Sequence, residues 1–263
     1  MESIKELYKL CMNRMGKDKL EYESKLLYIR YVTRPISFLI TKPFLILGIS
    51  ANQTSFIGIF VILLSFIFMS LGSYWNMIIG AILAQVWLIL DAVDGNIARY
   101  HGPKKIGPFI DGLGADIAYV AIFLSAGIAV YNSSNYLLNF FNPVIFVICG
   151  AIASLSKILT RYTKNKFNQF IASVEKTEIS SKEEAKNKIV KSVSTSKIRE
   201  AVKFISFSFS NQAGYLLPLF LICAIFSIMD IFIVFQAVLL FLIYIAIIIE
   251  LLLITKEKKY FDL

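Results

Sequence analysis

Six apolar stretches, residues 55–71, 74–91, 107–130, 136–160, 213–229 and 231–254, constrain this sequence more than any other feature. A helix rises about 1.5 Å per residue, so each is long enough, or nearly so, to cross a hydrocarbon core about 30 Å thick. Hydrophobic residues make up 57% of the 263, more than a water-soluble domain can cover with polar side chains, so the expected solvent is a bilayer. Lipid offers no partner to free backbone N–H and C=O groups, and no segment alternates with the period of two that a barrel strand needs. The fold class expected is all-α: a polytopic bundle of six transmembrane helices.

Charge gives that bundle an orientation. All 27 lysines and arginines fall in segments on one side: nine before residue 54, three between 92 and 106, twelve between 157 and 211, and three after 255. The opposite loops, at 72–75, 131–136 and 229–230, have none. Basic residues are retained on the cytoplasmic side, so both termini are expected there. The net charge of +9 then belongs to one face, where it serves topology and attraction to anionic headgroups rather than nucleic acid binding. The organisation expected is an N-terminal and interfacial segment over 1–54, a transmembrane domain over 55–254 with a cytoplasmic loop at 161–211, and a tail over 255–263.

From Tyr28 to Ile49, Arg30, Arg34 and Lys42 mix with Ile, Leu and Phe, and Pro35 and Pro43 interrupt the run. This reads as an amphipathic helix lying in the interface before the first span. Residues 1–30 are charged throughout and offer no secretory signal, so the first span is expected to be retained. The segment from Thr163 to Ser210 is polar and lysine-rich; it reads as a loop with some helix and a mobile part at Ser192–Ser196. Cys11, Cys149 and Cys223 lie too far apart for a zinc motif or a disulfide framework and read as packing residues. Trp75 reads as an interfacial anchor and Asp230 as an outer-loop residue.

Between Ser24 and Val174 the acidic residues are only Asp91, Asp94, Asp111 and Asp116, all at the basic ends of spans two and three. An ionisable group at the edge of a membrane helix is costly unless it is hydrated, paired or bound to a cation, so four together point to a cation site. Asp91 and Asp94, three residues apart, share a helix face with Gly95 and Ala98, where small residues let a ligand approach the backbone. An all-oxygen set favours a hard cation, Mg²⁺ or Mn²⁺, with substrate phosphate completing the shell. Arg99 is placed to grip phosphate oxygens. Lys157, Arg161 and Lys164 recur at helical spacing and are candidates for an acceptor phosphate, or snorkel to headgroups. His101 reads as a solvated loop residue, and Glu250 as facing the site or pairing with a lysine.

The run Asp91-Ala92-Val93-Asp94-Gly95-Asn96-Ile97-Ala98-Arg99, followed by Gly107, Asp111 and Asp116, resembles the signature of the CDP-alcohol phosphatidyltransferase family. That signature is D-x-x-D-G-x-x-A-R, eight residues, then G-x-x-x-D-x-x-x-D. Ser50-Ala51-Asn52-Gln53-Thr54 is similar to the Pro-Asn-x-x-Thr at the start of the family's first span, with Ala51 in place of the proline. The resemblance implies transfer of a substituted phosphate from a CDP-activated alcohol, typically a CDP-lipid, to a small polar alcohol, with release of CMP. It implies Asp91, Asp94, Asp111 and Asp116 as metal ligands, Asp116 also as general base, and Gly95, Ala98, Arg99 and Asn52 against the nucleotide. It further implies a cytoplasmic site and a homodimer.

The second half of the signature is shifted. Seven residues separate Arg99 from Gly107, and Asp111 to Asp116 is a step of five where the family has four. On a regular helix five residues turn the second carboxylate about 140° from the first, and four only about 40°. A π-bulge between them would restore a shared face. Two other readings stay open at this stage: a member that binds a CDP-lipid without turning it over, and a cation transporter using the aspartates.

Overall fold

The computed structural model describes residues 3–16, 20, 23, 26–102, 105–179, 208–209 and 211–257. Every regular element among them is helical, and three begin at a cap that a side chain supplies. Helix α1 (Ile4–Asn13) starts at Ser3 with a reciprocal Ser3–Glu6 box, and α3 (Ala51–Ser70) starts at Ser50 with the same device to Gln53. Each box satisfies two backbone donors that the first turn leaves open. Helix α2 (Arg34–Ile46) follows a π-helical turn over Ile29–Thr33. Helix α4 (Tyr74–His101) stops at Gly102, whose φ of 93° few other residues adopt. Helix α5 (Gly107–Asn132) carries Pro108 in its first turn, and α6 spans Val144–Ile179. A second π-helical turn, Gln212–Leu216, leads into α7 (Leu217–Ile225), and α8 spans Met229–Glu257.

Five of these helices, α3, α4, α5, α6 and α8, are long and apolar enough to cross a membrane. The expected count of six is approximate, because residues 213–229 form only the shorter apolar segment Gly214–Ile225. The reason is local: Gly214 has non-helical φ and ψ and ends regular helix on its N-terminal side, and a Cβ there would meet Ser208 O at 2.2 Å. The stretch expected over 136–160 is also corrected. Residues 136–143 are not helical, and α6 begins after Asn142, whose Oδ1 accepts from Val144 N at 3.0 Å. At its other end α6 continues to Ile179, so the expected loop begins as helix; the Ser192–Ser196 run lies outside the described residues.

Hydrogen bonds between helices sort their ends into two rims. At one rim Asn132 Nδ2 donates to Ser70 O at 2.7 Å, Tyr74 Oη to Ile225 O at 3.2 Å, and Leu138 N to Asp230 Oδ2 at 2.7 Å. Asp230 is therefore a fully buried staple in the first turn of α8 rather than a free loop residue. At the other rim Ser55 meets Asp94, Arg161 meets Asp116, and Gln212 Nε2 donates to Ala115 O at 3.0 Å. The described lysines and arginines gather toward this second rim, in α1, in α2 and at the ends of α4 and α6.

Between the rims the core is apolar, built on Ile62, Trp87, Ile122, Phe123, Phe146, Phe220 and Phe232. In lipid, helices gain little from hiding apolar surface from one another, so close backbone approach carries the packing. Gly127 and Gly150 supply it: a Cβ at the first would lie 2.3 Å from Phe146 O, and at the second 2.7 Å from Phe123 O. Outward faces carry exposed Phe56, Phe60, Ile79, Val120, Leu155, Val238 and Leu242, a surface suited to acyl chains rather than water. Cys11 and Cys223 are buried, and none of the three cysteines is in a disulfide.

Candidate active site

Helix α4 runs past its apolar part to His101, and its last turns carry Asp91, Asp94, Gly95 and Arg99 to the basic rim. Helix α5 starts there with Asp111 in its first turns. Asp91, Asp94 and Asp111 each present a carboxylate oxygen, and these atoms lie within 4.8 Å of one another. Asp94 is buried, Asp91 half-buried and Asp111 exposed. Ser55 on α3 donates to Asp94 Oδ2 at 2.5 Å, fixing one of its oxygens. An ion with bonds of about 2.1 Å needs only small closure of such a triad, so the set fits a hard divalent cation.

Asp91 and Asp111 also line a cavity of about 350 Å³, whose other polar walls include Arg34, Arg99, Arg161, Tyr119, Asn211 and Gln212. Carboxylates and arginines thus meet across one space, the arrangement that a metal-bound phosphate requires. The α4 wall is the stripe Trp87, Leu88, Asp91, Ala92, Gly95 and Arg99, at the three- and four-residue spacing of one helix face. Gly95 has a visible reason: a Cβ there would sit 3.2 Å from Arg99 Nη2 and 3.3 Å from Nη1, so its absence lets the guanidinium fold back over the helix. Ala98 and Asn52 do not line the cavity; from α3 it is Ser55, one turn beyond Asn52, that reaches the triad.

Asp116 stands apart from the triad. Helix α5 is regular through this region, without a π-bulge, so the five-residue step takes its full turn. The α5 wall of the cavity is Asp111, Ala115 and Tyr119, a step of four each time, and Asp116 lies off that stripe. Its Oδ1 pairs instead with Arg161 Nε at 2.8 Å. Arg161 lines the cavity, whereas Lys157 lies outside it with Nζ 4.6 Å from the centroid of the Tyr119 ring. That buried tyrosine also faces Arg161, with Cζ at 5.7 Å, and donates to Asn211 Oδ1 at 3.2 Å. Lys164 and His101 are exposed, and His101 packs edge-on against Tyr100.

The N-terminal segment closes the remaining side. Arg14 Nη1 donates to Arg99 O at 2.6 Å and to Tyr100 O at 2.8 Å, capping carbonyls that the end of α4 leaves open. Arg34, read from sequence as an interfacial cation, is 8% exposed and bonded to Glu23 and Asn96. Tyr28, whose hydroxyl burial holds above the ordinary phenol range, donates to Gln85 Oε1 at 2.7 Å, and Gln85 Nε2 donates to Leu217 O at 2.7 Å. Reading by sequence missed Arg34, Asn96, Tyr119 and Gln212. Only Tyr119 carried a signal, eight residues from Asp111 on the same helix face.

A family model described as CDP-alcohol phosphatidyltransferase matches residues 49–252. Comparison with curated proteins gives no match.

Proposed function

The chain belongs to the CDP-alcohol phosphatidyltransferase family, and from that premise we propose that it moves a lipid phosphate from a CDP-lipid, CDP-diacylglycerol or a relative, to a small polar alcohol. The family's reaction is transfer of phosphate from a CDP-alcohol to an acceptor, and the chain has the helices of a multi-pass membrane protein. One observation carries the reading: three carboxylates present oxygens within 4.8 Å of one another, and two of them, Asp91 and Asp111, share one cavity with three arginines.

In this reading Asp91, Asp94 and Asp111 hold Mg²⁺ or Mn²⁺. Such an ion, when bound, neutralises the diphosphate and stabilises charge on the leaving CMP. Arg99 holds a phosphate oxygen, with Gly95 leaving space for its guanidinium. The acceptor oxygen attacks the phosphorus that bears the lipid alcohol, the bond from that phosphorus to the CMP oxygen breaks, and CMP leaves with the electron pair. Asp111, the exposed member of the triad, takes the hydroxyl proton on a carboxylate oxygen and passes it to water. Asp116 then acts through its partner: it holds Arg161 at the cavity wall, where Arg161 orients the acceptor. The basic rim faces the cytoplasm by the distribution of lysine and arginine, and a second copy of the chain is its expected partner.

The test is CMP release from CDP-diacylglycerol by the purified protein in nanodiscs, with and without Mg²⁺, across a panel of alcohols, with Asp94→Asn as control. Metal-dependent release that needs one acceptor supports the reading and names the product. A second reading, binding without turnover, is favoured by the displacement of Asp116 from the triad. Tight CDP-lipid binding with no CMP release under any acceptor would select it.

A further inference from the structure

We propose that Arg34 is a second phosphate-binding guanidinium of this cavity, and that Asn96 is the positioning residue that holds it beside Arg99. The inference rests on the functional reading above and extends it to α2, which precedes the residues the family model matches.

Asn96 is fully buried, and its amide is used at both ends. Oδ1 accepts from Arg34 Nη1 at 3.2 Å and from Arg99 Nη2 at 2.8 Å, while Nδ2 is 3.2 Å from Ser37 Oγ and 3.1 Å from Thr41 Oγ1. Those two hydroxyls fix which end is which. Ser37 Oγ donates to Arg34 O at 2.9 Å and Thr41 Oγ1 to Ser37 O at 2.7 Å. A hydroxyl has one hydrogen, so both must accept from Asn96, and its oxygen is left for the arginines.

Two cations therefore converge on one neutral oxygen in a mostly buried place, which costs Coulomb energy unless an anion sits with them. Glu23 offsets one of the charges, with Arg34 Nε donating to Oε2 at 2.7 Å. A structural Arg34–Glu23 pair would be complete by itself and gives no reason to bring Arg99 alongside. Donors are also left over: Arg99 Nε and Thr33 Oγ1 are buried without a hydrogen-bond partner among the described residues, and both residues line the cavity. Convergent guanidinium and hydroxyl donors match a phosphate group. Two sources offer one: the second phosphate of the CDP-alcohol, or a phosphate carried by the acceptor.

The test uses the full chain in nanodiscs with Mg²⁺ and measures binding of CMP, of CDP, and of inorganic phosphate at saturating CMP. Glu23→Gln combined with Arg34→Gln removes the ion pair together and leaves neither of its partners as a lone buried charge. Asn96→Ala keeps both arginines and frees them. In both proteins we expect CDP affinity to fall about tenfold or more while CMP affinity changes less than about threefold. If CDP and CMP are unaffected and phosphate no longer binds beside CMP, the guanidinium role stands and the phosphate is the acceptor's. Equal losses for all three probes, or no loss for any, would overturn the proposal and leave a structural ion pair. Failure of the unaltered protein to bind either nucleotide would strike the functional reading itself, and this inference with it.

Discussion

The two helix ends that build the site obey different registers. On α4, Asp91, Gly95 and Arg99 advance in steps of four, and each lines the cavity. On α5 the cavity-facing steps of four fall on Asp111, Ala115 and Tyr119, and the carboxylate that would continue the triad comes one residue late, at Asp116. One residue is about 100° of rotation, enough to hand that carboxylate to Arg161 on α6. A helix-borne site therefore tolerates loop-length changes but not a change of step within one helix. Here the insertion converts a place in the triad into a support for a neighbouring arginine.

The contrast can be broken most severely at the triad. Asp94→Asn or Asp111→Asn should lower kcat/KM for CMP release about a thousandfold, because each neutral amide weakens cation binding and transition-state charge stabilisation. Circular dichroism and thermal melting should change little, since amide and carboxylate have the same shape. Full activity in either variant would remove the triad from the mechanism.

Asp116→Asn should cost only about tenfold, mainly in KM for the acceptor, and Arg161→Gln should cost about the same. The double variant should be no worse than either single one, as expected for two residues acting as a unit. A thousandfold fall in kcat for Asp116→Asn, with loss of the acidic limb of the pH–rate profile, would instead restore it as the general base. Gly95→Ala should cost about fivefold by pressing on Arg99, and Arg99→Lys in that background should relieve the crowding without recovering the fork. The smallest effect sharpens the comparison: Ala115→Asp with Asp116→Ala returns the carboxylate to the four-residue step and should stay within about threefold of the unaltered protein. If it performs no better than Asp116→Ala alone, the register argument is wrong.

Much of this arrangement was legible because helices translate spacing into faces. The four aspartates at helix ends and the one-sided lysines and arginines read directly from local sequence. The π-bulge that would have put Asp111 and Asp116 on one face does not form, and the two π-helical turns among the described residues, at Ile29–Thr33 and Gln212–Leu216, flank the cavity from other elements. Nothing in either segment's spacing announces them. Arg34 was misread for a related reason: an arginine in an amphipathic stretch has the same pattern whether it meets headgroups or Glu23 and Asn96.

The sequence by itself determined the all-helical membrane bundle, its basic rim and the four aspartates among which the triad lies, because hydropathy, helical period and the cost of charge in lipid act locally along the chain. Only the tertiary structure decided which helices fall short of a full crossing, that Asp116 serves Arg161, and that Arg34 joins Arg99 on one amide oxygen. Those outcomes depend on contacts between residues far apart in the chain, such as Arg34 with Asn96 and Asp116 with Arg161, and the physical forces that choose among such partners act only once the helices have packed.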